Sequence, residues 1–169
     1  PEVFEVERYV ELPKHVEQLY IHLAKMVTSK MPDRLKSASQ SDILPLGNVS
    51  IHSDLIEHAN NAGYEGKGNL QHLTVQDYLR MFDPFTIACE VPVNDDERCG
   101  QIDLIRIIGN HTEPIIQVCD FKPLAHKEKK ACSQLHYYKQ MLQHCTGISS
   151  DKIELVYFDS THAFRVCDF

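Results

Sequence analysis

Three β-rich segments follow one another closely, at 85–93, 101–108 and 115–122, and a long amphipathic stretch at 126–145 comes directly after them. Asn94-Asp-Asp-Glu97 separates the first two and Gly109-Asn110 the next two, both turn-forming, so these strands are expected to fold back on one another as hairpins. In 126–145, Ala131, Leu135, Tyr138, Leu142 and Cys145 recur at helical spacing. They give the helix one apolar stripe, and Gly147 is placed to end it. Segments 152–159 and 162–168 read as a last strand pair. The order of helices, three strands, helix and two strands fits neither a repeat array nor a chain of βαβ units. It predicts an α/β fold, a central mixed β-sheet flanked by helices.

Upstream, Val16, Leu19, Tyr20, Leu23 and Val27 sit at helical spacing behind Pro13, which predicts a helix over 14–29. Residues 30–48 read as loop. A second helix is expected over 50–62, with Ile51, Leu55, Ile56 and Ala59 on one side. Gly63 to Asn69 reads as a flexible break. Thr74-Val-Gln-Asp77 resembles a capping box with Asp in place of Glu, opening a short helix to about Met81. The whole of 1–169 is expected to form one domain, with a helical part over about 1–83 and an α/β core over about 84–169.

With 43% hydrophobic and 24% charged residues, the chain has an ordinary globular composition. No apolar run approaches the roughly 20 residues that span a bilayer, and the start lacks the basic and apolar regions of a signal peptide. A first residue other than Met predicts a segment of a longer polypeptide or a processed chain, with a trimmed tag as the alternative. The six cysteines include no C-x-x-C, and Cys89, Cys119 and Cys167 lie in apolar strand-like runs. They are expected to be free thiols in an intracellular, reducing compartment, cytoplasm and nucleus being left open. The net charge of −7 argues against coating nucleic acid by bulk charge. A local basic track remains: Lys122, Lys127, Lys129 and Lys130, with Lys139 further on.

Alternate residues of a strand share a face, so Asp120 and Lys122 project to one side and Cys119 and Phe121 to the other. Asp103 lies on the preceding strand. If the two strands are neighbours, both carboxylates can approach one divalent ion, and Mg²⁺ is commonly held by one or two carboxylates together with substrate phosphates. Lys122 is then suited to orienting a water or offsetting charge on phosphoryl oxygens. The same residues would also suit a salt-bridged surface patch. Gln134 and Tyr138 stand four apart on one face of the long helix. Gln134 borders the apolar stripe, where an amide needs partners. His126, His136, His144 and His162 have no acidic residue at ligand spacing and are expected to carry no metal. His22, near the stripe of the first helix, competes as a metal ligand.

Gly100-Gln-Ile-Asp103, then Asp120-Phe-Lys122, then Gln134-Leu-His-Tyr-Tyr138, in that order, resemble the motifs of the PD-(D/E)XK nuclease superfamily, most nearly its RecB-like exonuclease branch. Gly47-Asn-Val-Ser-Ile-His52 is similar to the upstream glycine and metal-ligating histidine of that branch. The resemblance covers roughly 47–160. It implies a restriction-endonuclease-like core and hydrolysis of DNA phosphodiesters with Mg²⁺ or Mn²⁺. It implies that His52, Asp103, Asp120 and the backbone carbonyl of Phe121 hold the metal. It further implies that Lys122 is the catalytic lysine, that Glu90 is an auxiliary acid, and that Gln134 and Tyr138 arrange the site. Lys127, Lys129 and Lys130 would contact the nucleic acid, DNA rather than RNA, and a fused or associated helicase or polymerase is an expected partner. No proline precedes Asp120, and the four cysteines that hold an iron–sulfur cluster in some relatives are not matched, so no cluster is expected. Two alternatives stand beside this: a catalytically silent nucleic-acid-binding module of a larger protein, and a cap-snatching-type RNA endonuclease. The close spacing of Asp120 and Lys122 argues against the latter.

Overall fold

The computed structural model describes residues 2–3, 12–26, 35–63 and 69–167. Its strands are β1 (Glu2–Val3), β2 (Lys36–Ser37), β3 (Gly47–Ser50), β4 (Thr86–Asn94), β5 (Arg98–Gly109), β6 (Pro114–Phe121), β7 (Ile153–Phe158) and β8 (Ala163–Cys167). Its helices are α1 (Lys14–Met26), α2 (Asp54–Asn61), α3 (Asn69–Phe82) and α4 (Ala131–Thr146). The strands form one mixed sheet in the order β1-β4-β5-β6-β7-β8-β3, with β2 attached beside β5. β4, β5 and β6 pair antiparallel through tight turns. β6 and β7 run parallel, which requires a long crossover, and α4 supplies it.

The sheet is covered on both faces. Val16, Leu19 and Leu23 of α1 and Leu135, Tyr138 and Leu142 of α4 pack with Ile105, Val118 and Leu155 on one side. Leu55 and Ala59 of α2 and Val75 and Leu79 of α3 pack with Leu104, Cys119, Phe121 and Phe158 on the other. β6 is therefore buried on both faces, as a central strand between two helical layers must be. α4 ends at Gly147, whose φ of +73° suits a residue without Cβ. Among the described residues no helix is long and apolar enough to cross a membrane.

The N-terminal part departs from the sequence reading in three places. Residues 47–50, expected to pass from loop into the start of a helix at about Ser50, form β3, because they pair antiparallel with β8 from Gly47↔Cys167 to Ser50↔Phe164. The helix starts only at Asp54, after Ser53 accepts the Leu55 N–H. Thr74 does not open a helix but lies inside α3, which begins at Asn69. The expected loop over 30–48 holds β2 and a 3₁₀ turn at Ala38–Gln40 in its described portion. The stretch 27–34, including the expected end of the first helix, and 64–68 in the expected break, lie outside the described residues.

A buried ion cluster joins the second helical layer to the sheet. Arg106 on β5 is 1% exposed. Its Nε donates to Asp83 Oδ2 at 2.7 Å, its two terminal nitrogens to Asp54 Oδ2 at 2.6 Å and Gln117 Oε1 at 2.8 Å. Asp83 also accepts from the Thr86 hydroxyl at 2.6 Å and the Phe85 N–H at 3.1 Å. Burial works to raise the Asp83 pKa, but the hydrogen bonds and charge of Arg106 prevail and hold the carboxyl below its ordinary range.

Candidate active site

Register brings three carboxylates into one row. Cys89 pairs with Leu104 and Val91 with Ile102, which sets Glu90 of β4 against Asp103 of β5. Leu104 pairs with Cys119, so one step further along β5 sets Asp103 against Asp120 of β6. The β5–β6 ladder stops at that step. The Lys122 N–H donates across to Phe158 on β7, so the Phe121 N–H faces the other way, towards β5. There it meets a carboxylate rather than a carbonyl, donating to Asp103 Oδ2 at 3.2 Å. The Phe121 carbonyl shares that direction. Glu90 is exposed and has a φ of +52°, a left-handed conformation that costs a non-glycine residue about 1–3 kcal/mol and concentrates at functional positions.

Behind the row stands a relay of polar groups. Lys122 Nζ lies 3.0 Å from Asp120 Oδ2 and donates to Gln134 Oε1 at 3.0 Å. Gln134 Nε2 donates to the Tyr138 hydroxyl at 2.7 Å. The amide at the margin of the α4 stripe is thus bonded at both ends, and it fixes where the lysine points. Gly100 explains its own place in the pattern. A Cβ there would overlap the Tyr138 ring, with Met141 Cε at 3.2 Å. The glycine and the tyrosine are two halves of one close approach between β5 and α4. Gly100→Ala is expected to displace Tyr138 and with it the Gln134–Lys122 relay. Overpacking of this kind costs about 1–3 kcal/mol, measurable by urea denaturation. An unchanged midpoint would mean that the approach relaxes freely.

His72 of α3 completes the cluster. Its Nδ1 lies 3.3 Å from Asp103 Oδ2, and its ring meets Phe121 edge-on at 5.3 Å between centroids. His72, Leu73, Gln76, Glu90, Asp103, Asp120, Lys122 and Gln134 line one cavity of about 450 Å³. Glu90, Leu73 and Gln76 also line an adjoining cavity of about 370 Å³.

The electrostatics are those of two carboxylates competing for one charge. Burial first, and then the charge of Asp103, push the Asp120 pKa well above the usual carboxylate range, and Lys122 offsets only part of this. Burial acts on Asp103 in the same sense, but hydrogen bonds from His72 and Asp120 hold its pKa below the ordinary value. Of the two carboxyls, Asp120 is therefore the one whose charged form is the more disfavoured, as close like charges require. Burial works against the Lys122 ammonium, yet the Asp120 charge beside it raises its pKa, so it stays charged. Burial and the Asp120 charge push the Tyr138 phenol up, which keeps it neutral. Asp120 Oδ2 is buried without an aligned hydrogen bond, although Lys122 Nζ is at ion-pair distance. A buried oxygen left so suits a cation.

His52, the histidine expected at this site, is elsewhere. It lines a cavity of about 440 Å³ with Ile51, Ser53, Asp54 and Arg106. It follows β3 at the sheet edge, and β7 and β8 separate that strand from β6. The histidine brought to Asp103 is His72, which lies ahead of the helix expected to open at Thr74 but inside α3. Extending that helix by one turn would have placed His72 on the face of Val75 and Leu79, which are both buried. His22 is a buried residue of α1, 3.4 Å from the Pro92 carbonyl, with its pKa lowered chiefly by burial. Lys127, Lys129 and Lys130 are exposed between Lys122 and the start of α4.

Two further groups bring three potential ligand atoms within 4.8 Å of one another, Asp54–His58–Asp83 and His126–Asp159–His162. The second corrects the expectation that His126 and His162 lack an acidic neighbour, since Asp159 reaches both from the β7–β8 turn.

No protein-family model, no curated protein and no solved structure matches this chain.

Proposed function

We propose that this chain is a divalent-metal-dependent nuclease domain of the PD-(D/E)XK type, near the RecB-like branch, with a restriction-endonuclease-like core, and that it hydrolyses DNA phosphodiesters. The observation that carries this reading is the row Glu90–Asp103–Asp120 at the open end of the β5–β6 ladder, with Lys122 braced against it by Gln134. Asp103 and Asp120, with the Phe121 carbonyl, would hold Mg²⁺ or Mn²⁺, and the oxygen of Asp120 that lacks an aligned donor fits such an ion. The imidazole of His72, in place of His52, favours Mn²⁺ as the tighter occupant. An ion held there acidifies a water and withdraws charge from a phosphate.

The side chains supply the rest. Lys122 offers a proton-bearing ammonium beside the carboxylates, where it orients a nucleophile or offsets charge on a phosphoryl oxygen. Gln134 keeps that ammonium from turning towards solvent. Exposed Lys127, Lys129 and Lys130 continue the cationic surface along a nucleic-acid backbone.

The test is incubation with single- and double-stranded DNA, uncapped RNA and capped RNA, in Mg²⁺ and in Mn²⁺. Metal-dependent cleavage of DNA above RNA is expected. Preference for capped RNA would point to the cap-snatching alternative. Binding of nucleic acid without cleavage in either metal would point to a silent module. His72→Ala is expected to weaken Mn²⁺ binding at least about tenfold by calorimetry, and His52→Ala to leave it unchanged. The reverse result would return the ligand role to His52.

A further inference from the structure

We infer that His126, His162 and Asp159 form a second metal site, for a borderline divalent transition ion such as Zn²⁺, outside the cavity lined by Asp103 and Asp120. The three residues come from two separate loops. His126 is in the 3₁₀ turn Ala125–Lys127, entered through Leu124 with a φ of +61°. His162 closes the β7–β8 turn, where the Asp159 N–H donates to its carbonyl at 2.9 Å.

One carboxylate fastens both loops. Asp159 Oδ2 accepts the Ala125 N–H at 2.7 Å. Asp159 Oδ1 accepts the Thr161 and His162 N–H groups at 2.8 and 2.7 Å and the Thr161 hydroxyl at 2.9 Å. That hydroxyl also lies 2.7 Å from His162 Nδ1, so the second imidazole is anchored through it. The two histidine rings end beside each other, 4.9 Å between centroids and tilted by 35°.

The donors to Asp159 are amides and a hydroxyl. No guanidinium occupies the centre of this group, and here it differs from Asp54–His58–Asp83, where Arg106 bonds both carboxylates at 2.6 and 2.7 Å and fills the place of a cation. Two imidazole nitrogens and one carboxylate oxygen form a donor set that suits Zn²⁺ and its neighbours better than Mg²⁺. His126 is exposed and the His162 side chain is 42% exposed. The fourth position is therefore open to water, and the ion need not be stripped of its whole hydration shell. The ligand atoms lie within 4.8 Å of one another, and with Asp159 held by its hydrogen bonds it is the two imidazoles that would close on such an ion. Bound there, it would pin the segment that follows Lys122 to the β7–β8 turn.

The experiment uses the chain carrying Asp103→Asn and Asp120→Asn, so that its outcome does not depend on the nuclease reading. Equilibrium dialysis against Zn²⁺ is expected to give one ion per chain, and Zn²⁺ to raise the melting temperature. His126→Ala or His162→Ala in that background should weaken Zn²⁺ binding at least tenfold and abolish the thermal shift, with Mg²⁺ producing no shift in any variant. Absence of bound Zn²⁺ in the parent, or binding undiminished when both histidines are replaced, would overturn the site.

Discussion

Asp120→Asn is expected to reduce DNA cleavage by a factor of at least about 10² while making the folded chain more resistant to heat in metal-free buffer near neutral pH. The two effects share one cause. Asp120 is buried in contact with Asp103, and its folded pKa stands well above the carboxylate range. A carboxyl whose pKa rises on folding binds its proton more tightly folded than unfolded. Its destabilising effect is absent below the unfolded pKa, grows as pH rises towards the folded pKa, and is complete above it. Asparagine carries no such penalty and keeps the shape. It cannot supply the charge that would hold a cation, so Mn²⁺, which should raise the melting temperature of the parent by mass action, should do so far less in the variant. Thermal melts with and without Mn²⁺, beside a cleavage assay, read all of this. A variant that cuts as fast as the parent would end the nuclease reading. One that cuts poorly and melts lower in metal-free buffer would show Asp120 to be a stabilising partner of Lys122, not a strained one.

Arg106→Leu is expected to be the most damaging single change to stability, about 3–5 kcal/mol, because it leaves Asp83 buried without its counter-charge. The double variant Arg106→Leu/Asp83→Leu should recover much of that loss, since an apolar pair replaces an ion pair at little cost once neither charge remains. The parent should also show an acid limb. Asp83 has a folded pKa below its unfolded one, so the stability it contributes is fully present above the unfolded carboxylate pKa and disappears as pH falls through the folded value. In Arg106→Leu that limb should flatten or reverse. Urea titrations at neutral and acid pH decide it. A single variant within about 1 kcal/mol of the parent would show that water reaches Asp83 when the guanidinium is removed.

The body of the long helix, the strand succession from Thr86 to Phe121 and the closing strand pair were legible in the chain, because each follows from a local period, but the helix expected from 126 begins only at Ala131, after a separate 3₁₀ turn at Ala125–Lys127. Alternation by two places Asp120 and Lys122 on one face whatever else the chain does, and helical spacing stacks Gln134 on Tyr138. β3 was not legible. Its residues alternate too little to declare a strand, and pairing with β8 more than 110 positions later decides its conformation.

The sequence by itself determined the acids, the lysine, the amide and the order of elements that would carry them, since short-range periodicity needs no partner to be read. Tertiary structure alone decided which residues meet. Ladder register across β4, β5 and β6 aligned Glu90, Asp103 and Asp120, and the packing of α3 brought His72 rather than His52 to the row. Close contact between Gly100 and Tyr138 locked the relay behind it. Burial of Arg106 among Asp54, Asp83 and Gln117 was equally hidden, because a charge enters a core only when partners distant in sequence arrive together.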